Sequence, residues 1–450
     1  MHPTDQLLST YALDPRIEGA AALEAHLAEC PPCHRRLDDL RAIEALLADE
    51  SSWPQAEDAA PPPSLQVLSA AAARKRTEDA AADALLSGVL ERFISGASGA
   101  FVWTDIASKP EYHTGGVVRK LAEAADQAQY SAPRRALILG ETASAIVGML
   151  SARLYSETEI AALRGLAWKQ RANANRHLGR FTEALEALDR AERAYRALAR
   201  PELDLASIEF IRATIYCEQG TYESAKQRAD GSAAIFAQLG QTELYFRARQ
   251  LQGWIAFEQR ELGQAQLIFD TVFAHGEATG NLTWIARGSQ ALGNCYLERR
   301  DLTNATQYLH QSMVAFRELG IRSEEIRCRW SLALAVQRDG RYRMAIPRLR
   351  DVRDEFSALG AASDAALVTL DIMETFLLLG QPREVRRTAG NVVKLLKDAG
   401  MVSGALTAAD YLKQAAASKG VTLSLIEYVR RYFRRVESQP ELAFVPPEAL

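Results

Sequence analysis

Between about residue 161 and residue 400 the apolar and polar positions return in register. Gly240, Gly280, Gly320, Gly360 and Gly400 each close a run of apolar and charged residues, every one 40 residues after the last. A second ladder, Ala225, Ala265, Ala305 and Ala345, keeps the same step, with Ala184 before it and Val385 after it. A third, Ala172, Ala213, Gly253, Gly293 and Ala333, is small where helices must touch. Three ladders in register define a repeat. Within residues 285–320, Ile285, Leu292, Tyr296 and Leu297 mark one helical face, and Arg300-Asp301 supplies a turn. Leu302, Ala305, Leu309, Met313 and Phe316 then mark a second face, and Gly320 ends it as a glycine just past a helix does. Each unit is a helix–turn–helix whose faces are too small to bury alone, so neighbours must stack into an all-α solenoid.

These units resemble the tetratricopeptide repeat. Leu292-Gly293 and Tyr296 fit its first helix, and Leu302, Ala305 and Leu309 its second. Leu178-Gly179-Arg180-Phe181 with Ala184, and Gly340-Arg341-Tyr342 with Ala345, match its turn and small second-helix position, and Trp168 its early aromatic. The step is longer than that family's usual length of about 34 residues, so helices or connections must be extended. Six tetratricopeptide-like units occupy 161–400. The last carries Met373 and Val385 in place of small residues, as a terminal unit would. Capping helices and a tail follow over 401–450. There Arg430-Arg431 and Arg434-Arg435 lie beside Tyr428, Tyr432 and Phe433 on an amphipathic capping helix. In the first helices Arg247, Arg287 and Arg327 recur at equivalent positions, with Gln250 and Gln290 one turn on, then Trp254 and Asn294. If that column faces the concave side, it offers donors to an acidic or carboxylate-bearing peptide.

The amino terminus has a different pattern. His26, Cys30 and Cys33 form H-x3-C-x2-C within LEAHLAECPPCHRRLDDL. A helix brings His26 and Cys30 to one face, and Pro31-Pro32 ends that helix so that a new one starts near Cys33. Two thiolates and an imidazole at a helix junction suit a tetrahedral zinc ion, and four protein ligands make such a site structural rather than catalytic. The fourth ligand is His2, which precedes a helix at Asp5 to Leu13, or His34, which adjoins Cys33. A redox pair would need the strand-then-helix setting that this stretch lacks. Residues 2–47 also resemble the zinc-binding anti-sigma family, through His2, Leu7-Leu8-Ser9-Thr10-Tyr11, the run from Leu23 to Cys33, and Leu37. That resemblance implies zinc on His2, His26, Cys30 and Cys33, and a sigma factor as the partner whose use by RNA polymerase is blocked.

A small three-helix zinc module over 1–50 is thus followed by a proline-rich linker at 51–64, acidic from Trp53 to Pro63. Alanine-rich bridging helices and an irregular first helix pair take up 65–160. The short basic run Arg74-Lys75-Arg76 is expected to be a solvated face. A net charge of −4 on 450 residues argues against direct nucleic-acid binding. The longest apolar stretch, Ala136 to Leu150, is short and broken by polar residues, which argues against membrane insertion. Met1-His2-Pro3-Thr4-Asp5 lacks the basic-then-apolar opening of a signal peptide, so the expected location is the cytoplasm. Five cysteines do not form a disulfide framework, and Cys217, Cys295 and Cys328 read as small core residues. Ser95-Gly96-Ala97-Ser98-Gly99 lacks the lysine of a phosphate loop. His113 is expected to serve a cap or packing, since neither it nor His177 has a recognisable catalytic partner.

The expectation is a non-enzymatic regulator or adaptor: an anti-sigma-like module that restrains transcription, joined to an array for protein–protein interaction. The alternative is a repeat scaffold whose zinc module is only a docking or dimerisation unit.

Overall fold

The computed structural model describes residues 3, 5–13, 16, 19–48, 65–94, 101–129, 132–398, 403–418, 420–438 and 442–447. The linker at 51–64, Ser95 to Gly99, His2 and Gly400 lie outside these residues. All regular structure among the described residues is helical, and the chain divides into two units, 1–71 and 72–450.

The first unit holds α1 (Asp5–Leu13), α2 (Ala20–Glu29) and α3 (Pro31–Ala48). Gly19, at φ 87°, turns the chain into α2. Cys30 is extended (φ −119°, ψ 93°), and Pro31 then opens α3 at the position where a missing N–H costs nothing. The new helix therefore starts two residues before Cys33, and the Cys30 carbonyl accepts its first bond from the His34 N–H at 3.1 Å. Leu8, Tyr11, Leu23, Leu27, Cys33 and Leu37 form a small core, and the Tyr11 hydroxyl donates to Glu24 Oε1 at 2.8 Å.

The division falls within α4 (Leu65–Ile94), and the second unit continues with α5 (Phe101–Ser108), a 3₁₀ turn at Pro110–Tyr112, α6 (Gly115–Ala128) and α7 (Pro133–Val147). The alanine-rich stretch is one long helix. Its Arg74 is not simply solvated: it pairs with Glu159, donates to the Leu154 carbonyl at 2.6 Å and lies over the Tyr155 ring, while Lys75 and Arg76 are exposed. Glu78 and the Tyr155 hydroxyl accept the Gly116 and Gly115 N–H groups that open α6, and Thr114 caps Val117.

Six helix pairs follow: α8 (Glu157–His177) with α9 (Phe181–Tyr195), α10 (Glu202–Glu218) with α11 (Tyr222–Gln238), and α12 (Thr242–Glu258) with α13 (Leu262–Thr279). Then come α14 (Leu282–Glu298) with α15 (Leu302–Glu318), α16 (Arg322–Arg338) with α17 (Tyr342–Ala358), and α18 (Ala362–Leu378) with α19 (Pro382–Asp398). Finally α20 (Ser403–Ala417) and α21 (Leu423–Ser438) close the stack. First helices of neighbouring pairs touch, α8 with α10, α10 with α12, α14 with α16 and α16 with α18, and no two second helices come as close. The stack therefore curves with its first helices inside, as tetratricopeptide-like solenoids do.

The long step has a simple cause. From α10 to α19 every helix has 17 residues except α13, which has 18. Three-residue connections complete the half-repeats, or two residues after the longer α13, and each holds one left-handed residue: Gly220, Gly240, Arg260, Gly280, Arg300, Gly320, Gly340, Gly360 and Gly380. At Gly240 the flanking N–H groups close back on the helix, Gly240 to the Ala237 carbonyl at 3.1 Å and Gln241 to the Phe236 carbonyl at 2.8 Å. The same pair of bonds recurs at Arg300 and Asp301, so the motif is indifferent to the side chain while the side chain is not indifferent to φ 61°. A left-handed non-glycine residue costs about 1–2 kcal/mol, partly offset by glycine's freedom in the unfolded chain. Arg300 makes no ion pair among the described residues. Arg300→Gly should therefore stabilise the protein by about 1 kcal/mol in chemical denaturation. Arg260→Gly should gain less, because Arg260 pairs with Glu298 at 2.7 Å. A loss of stability in Arg300→Gly would refute this account.

The small ladder does what its spacing implies. A Cβ at Gly253 would stand 2.4 Å from the Phe269 ring, and one at Gly293 2.7 Å from Leu309 Cγ, so each first helix is notched to receive the second. Ala172, Ala213 and Ala333 are fully buried, as are Ala184, Ala225, Ala265, Ala305 and Ala345. The core thickens at the far end, where α18 is covered by α17, α19 and α21 and buries Met373.

Candidate metal centre and concave groove

His26 sits in the last turn of α2, Cys30 at the junction, and Cys33 in the first turn of α3. Their ligand atoms all lie within 4.8 Å of one another. A tetrahedral zinc ion with bonds of about 2.0–2.3 Å holds its ligands roughly 3.5 Å apart, so modest side-chain rotation closes this triangle. The two thiols and one imidazole are the donor set zinc prefers, and they are fixed by the module's core, of which Cys33 is a buried member. Burial, then the hydrogen bond and charge of Cys30, raise the Cys33 thiol above its ordinary pKa. A bound cation reverses that effect. His34 points elsewhere: its Nδ1 meets Asp38 Oδ2 at 3.0 Å on an exposed face of α3, and it is not in the cluster. The other candidate for the fourth position, His2, lies outside the described residues.

On the concave side of the array, Arg247, Gln250, Trp254, Arg287 and Gln290 line one cavity of about 690 Å³. The other two members of the column do not join it. Asn294 lines a second cavity of about 680 Å³, where it accepts from Ser331 Oγ at 2.9 Å. Arg327 pairs with Asp364, one repeat further on, at 3.0 Å and leans on Glu324 of its own helix, so its charge is already used. Gln290 also donates to Glu324, at 3.0 Å.

The first cavity holds further polar groups: Lys169, Gln170 and Asn173 from α8, and Gln129 just after α6. Lys169 stands three residues before Ala172 as Gln250 stands before Gly253, so the column continued one repeat back would have named it. Gln170 occupies a column that is apolar in the next three repeats, at Ile211, Leu251 and Ala291.

The second cavity is roofed by α21, which crosses α18 on the inner side. Its Arg430 is not one of a row of solvated cations. Arg430 Nη2 donates to Asp371 Oδ1 at 2.9 Å, and the guanidinium also pairs with Glu374 and Glu427. Trp330 Nε1 donates to the other oxygen of Asp371 at 2.6 Å. Burial pushes the Asp371 carboxyl up, while Arg430 and Trp330 hold it down.

His113, His177 and the other three cysteines sit in structural contacts. His113 Nε2 lies 2.9 Å from the Ala107 carbonyl. Burial, then the neighbouring Arg176, push His177 down to about 3, and its neutral Nε2 accepts from Arg176 at 2.6 Å. Cys295 and Cys328 are fully buried and Cys217 half-buried. Among the described residues no helix is long and apolar enough to cross a membrane.

No protein-family model matches the chain, and no curated protein does. Among solved structures, a Rap protein complexed with Competence and Sporulation Factor is 10% identical, covering 74% of this chain and 100% of its own, with a TM-score of 0.44. Aspartyl phosphate phosphatase F from Bacillus subtilis is 9% identical over 78% of this chain and 98% of its own, with a TM-score of 0.46. A Signal Transduction ATPase with Numerous Domains protein from Pyrococcus horikoshii, with a tetratricopeptide repeat sensor, is 13% identical over 70% of this chain and 55% of its own, at a TM-score of 0.46. At such identities and scores nothing of these proteins' ligands or activities passes to this chain.

Proposed function

We propose that the chain is a non-enzymatic adaptor. Its solenoid takes a peptide or protein segment on the concave face, and its amino-terminal module, closed by structural zinc, docks a second protein. The observation that carries the groove reading is the meeting of residues from successive repeats in one cavity: Arg247, Gln250 and Trp254 from one, Arg287 and Gln290 from the next. A copied surface that converges on one space is what a repeat scaffold needs to hold an extended partner. For the module, the support is the triangle of His26, Cys30 and Cys33. Zinc there would fix three helices too small to fold unaided.

The finer reading is that the module's partner is a sigma factor, which rests on the resemblance of residues 2–47 to the anti-sigma family. Metal analysis of the full chain comes first. One zinc per chain is expected, lost in Cys30→Ser and His26→Ala, weakened in His2→Ala and unchanged in His34→Ala. Zinc-free protein from reduced, freshly made material would remove the metal site. The zinc-loaded chain should then co-elute with a purified extracytoplasmic-function sigma factor and the Cys30→Ser chain should not. Zinc without any sigma-factor complex would leave the module as a docking or dimerisation unit.

A further inference from the structure

The first cavity is lined by four cations, Lys169, Arg176, Arg247 and Arg287, and two carboxylates, Asp126 and Glu324; Arg176 is paired with Glu218, and Glu324 is engaged by Gln290 and Arg327. Several arginines elsewhere in the second unit are held in ion-pair clusters. Arg212 alone pairs with Asp189, Glu192 and Glu209, and Arg430 with Asp371, Glu374 and Glu427. Lys169, Arg247 and Arg287 make no ion pair among the described residues, and what sets them apart is that all three line this one cavity. Arg247 rests over the Phe210 ring, its carbon 5.9 Å from the centroid, which holds the guanidinium in place without neutralising it. Burial pushes the Lys169 ammonium below the ordinary lysine value, and Arg247 adds to that; Asp204 and Asp126 act the other way from a distance that makes no contact.

Two acceptors accompany these cations. Gln170 is 7% exposed and Gln129 6%, and the Oε1 of each is buried with no hydrogen-bond partner. Gln129 is anchored through its other amide atom, which donates to Asp126 at 3.2 Å. A buried carbonyl without a donor costs about 1–3 kcal/mol, so a ligand bearing N–H groups recovers that energy on binding.

We propose that this cavity is a subsite for a carboxylate-bearing peptide segment, whose backbone N–H groups meet Gln129 and Gln170 while its carboxylates meet Lys169, Arg247 and Arg287. The proposal rests on the groove reading above and narrows it. Cations alone would suit any anion. The paired acceptors, on α8 and just after α6, select a ligand that offers several donors along an extended chain together with negative charge, as a peptide does. The volume, about 690 Å³, suits a few residues and not a folded domain.

The test uses the immobilised full-length chain and a random octapeptide pool in two forms, with free and with amidated carboxy termini. Retained peptides are sequenced by mass spectrometry, and the best is labelled for anisotropy titration. Asp and Glu should be enriched in the retained set. Enrichment that persists in the amidated pool assigns the contact to side-chain carboxylates, and enrichment confined to the free pool assigns it to the terminal carboxylate; either supports the proposal. Arg247→Gln with Arg287→Gln should weaken the labelled peptide by tenfold or more, and Gln170→Met by about tenfold. Both arginines are exposed, so unchanged melting of the double variant shows that the array is intact. Retention with no acidic bias leaves the groove reading standing and overturns this one. So does affinity indifferent to the double variant, or displacement of the peptide by equimolar inorganic phosphate. No retained peptide at all overturns both.

Discussion

Replacing Arg430 by Ala should cost about 3–5 kcal/mol at neutral pH, the range for removing one partner of a buried ion pair. Asp371 is 4% exposed and sits at the centre of the contact between α18 and α21, with Trp330 on one oxygen and Arg430 on the other. Without the guanidinium, the carboxylate is left buried beside Glu374 with a single indole donor. The fold can keep it only by protonating it, so its folded-state pKa rises further above the unfolded value. A group raised in this way favours the fold below its unfolded pKa and loses that contribution as pH climbs through the folded one. The deficit of Arg430→Ala should therefore shrink on acidification. Asp371→Leu combined with Arg430→Met should recover most of the loss, because the pair is needed as a pair and not for its charge. Denaturant melts across pH check the energies, and hydrogen exchange should show α21 released before the repeats. A loss under about 1 kcal/mol would mean that the cluster is far wetter than its burial indicates.

The second large effect belongs to Gly276. Its column holds Phe236, Phe316 and Phe356, all buried to the last few per cent, so the glycine looks like a defect in the third repeat. The structure shows a different packing solution. A Cβ at Gly276 would lie 2.6 Å from the Ile285 nitrogen, and one at the facing Gly288 2.7 Å from Phe273 Cα. There α13 and α14 meet backbone to backbone. The missing ring is replaced by Trp284, itself 1% exposed, whose Nε1 donates to Glu243 Oε2 at 2.9 Å. Gly276→Val should destabilise by about 3 kcal/mol as the helices are forced apart. Gly276→Phe, which restores the residue its neighbours carry, should be worse. Stability of Gly276→Phe equal to that of the parent in equilibrium denaturation would show that the close approach is not fixed.

Much of the architecture is legible from residue order because the repeat advertises itself. Glycine at a left-handed position is nearly obligatory, and an alanine or glycine notch leaves no room for anything larger, so both survive copying as visible ladders. The half-period is less visible, since Arg260 and Arg300 stand where glycine would have revealed it and their strain is expressed only in φ. The groove is partly legible. Arg247, Gln250, Trp254, Arg287 and Gln290 follow from register, but Lys169 required extending that register across the repeat that is 41 residues long rather than 40. Arg327 and Asn294 obey the same register yet belong elsewhere, because their neighbours on α16 and α18 supply partners that earlier repeats lack. The position of α21 depends on a contact between residues 371 and 430, which no local pattern announces. In the amino-terminal module the spacing of His26, Cys30 and Cys33 fixes their convergence, since a helix and a proline junction leave few other arrangements.

The even spacing of the connectors has a genetic consequence. From α10 to α18 every helix ends in the same hydrogen-bonded joint, and every half takes the same length of chain. A tandem duplication of one repeat's coding length therefore preserves each ladder wherever its breakpoints fall, because a break inside a helix is rejoined in phase by the next copy. Such an array can lengthen without inventing a new joint, and selection is left free to edit only what faces the groove.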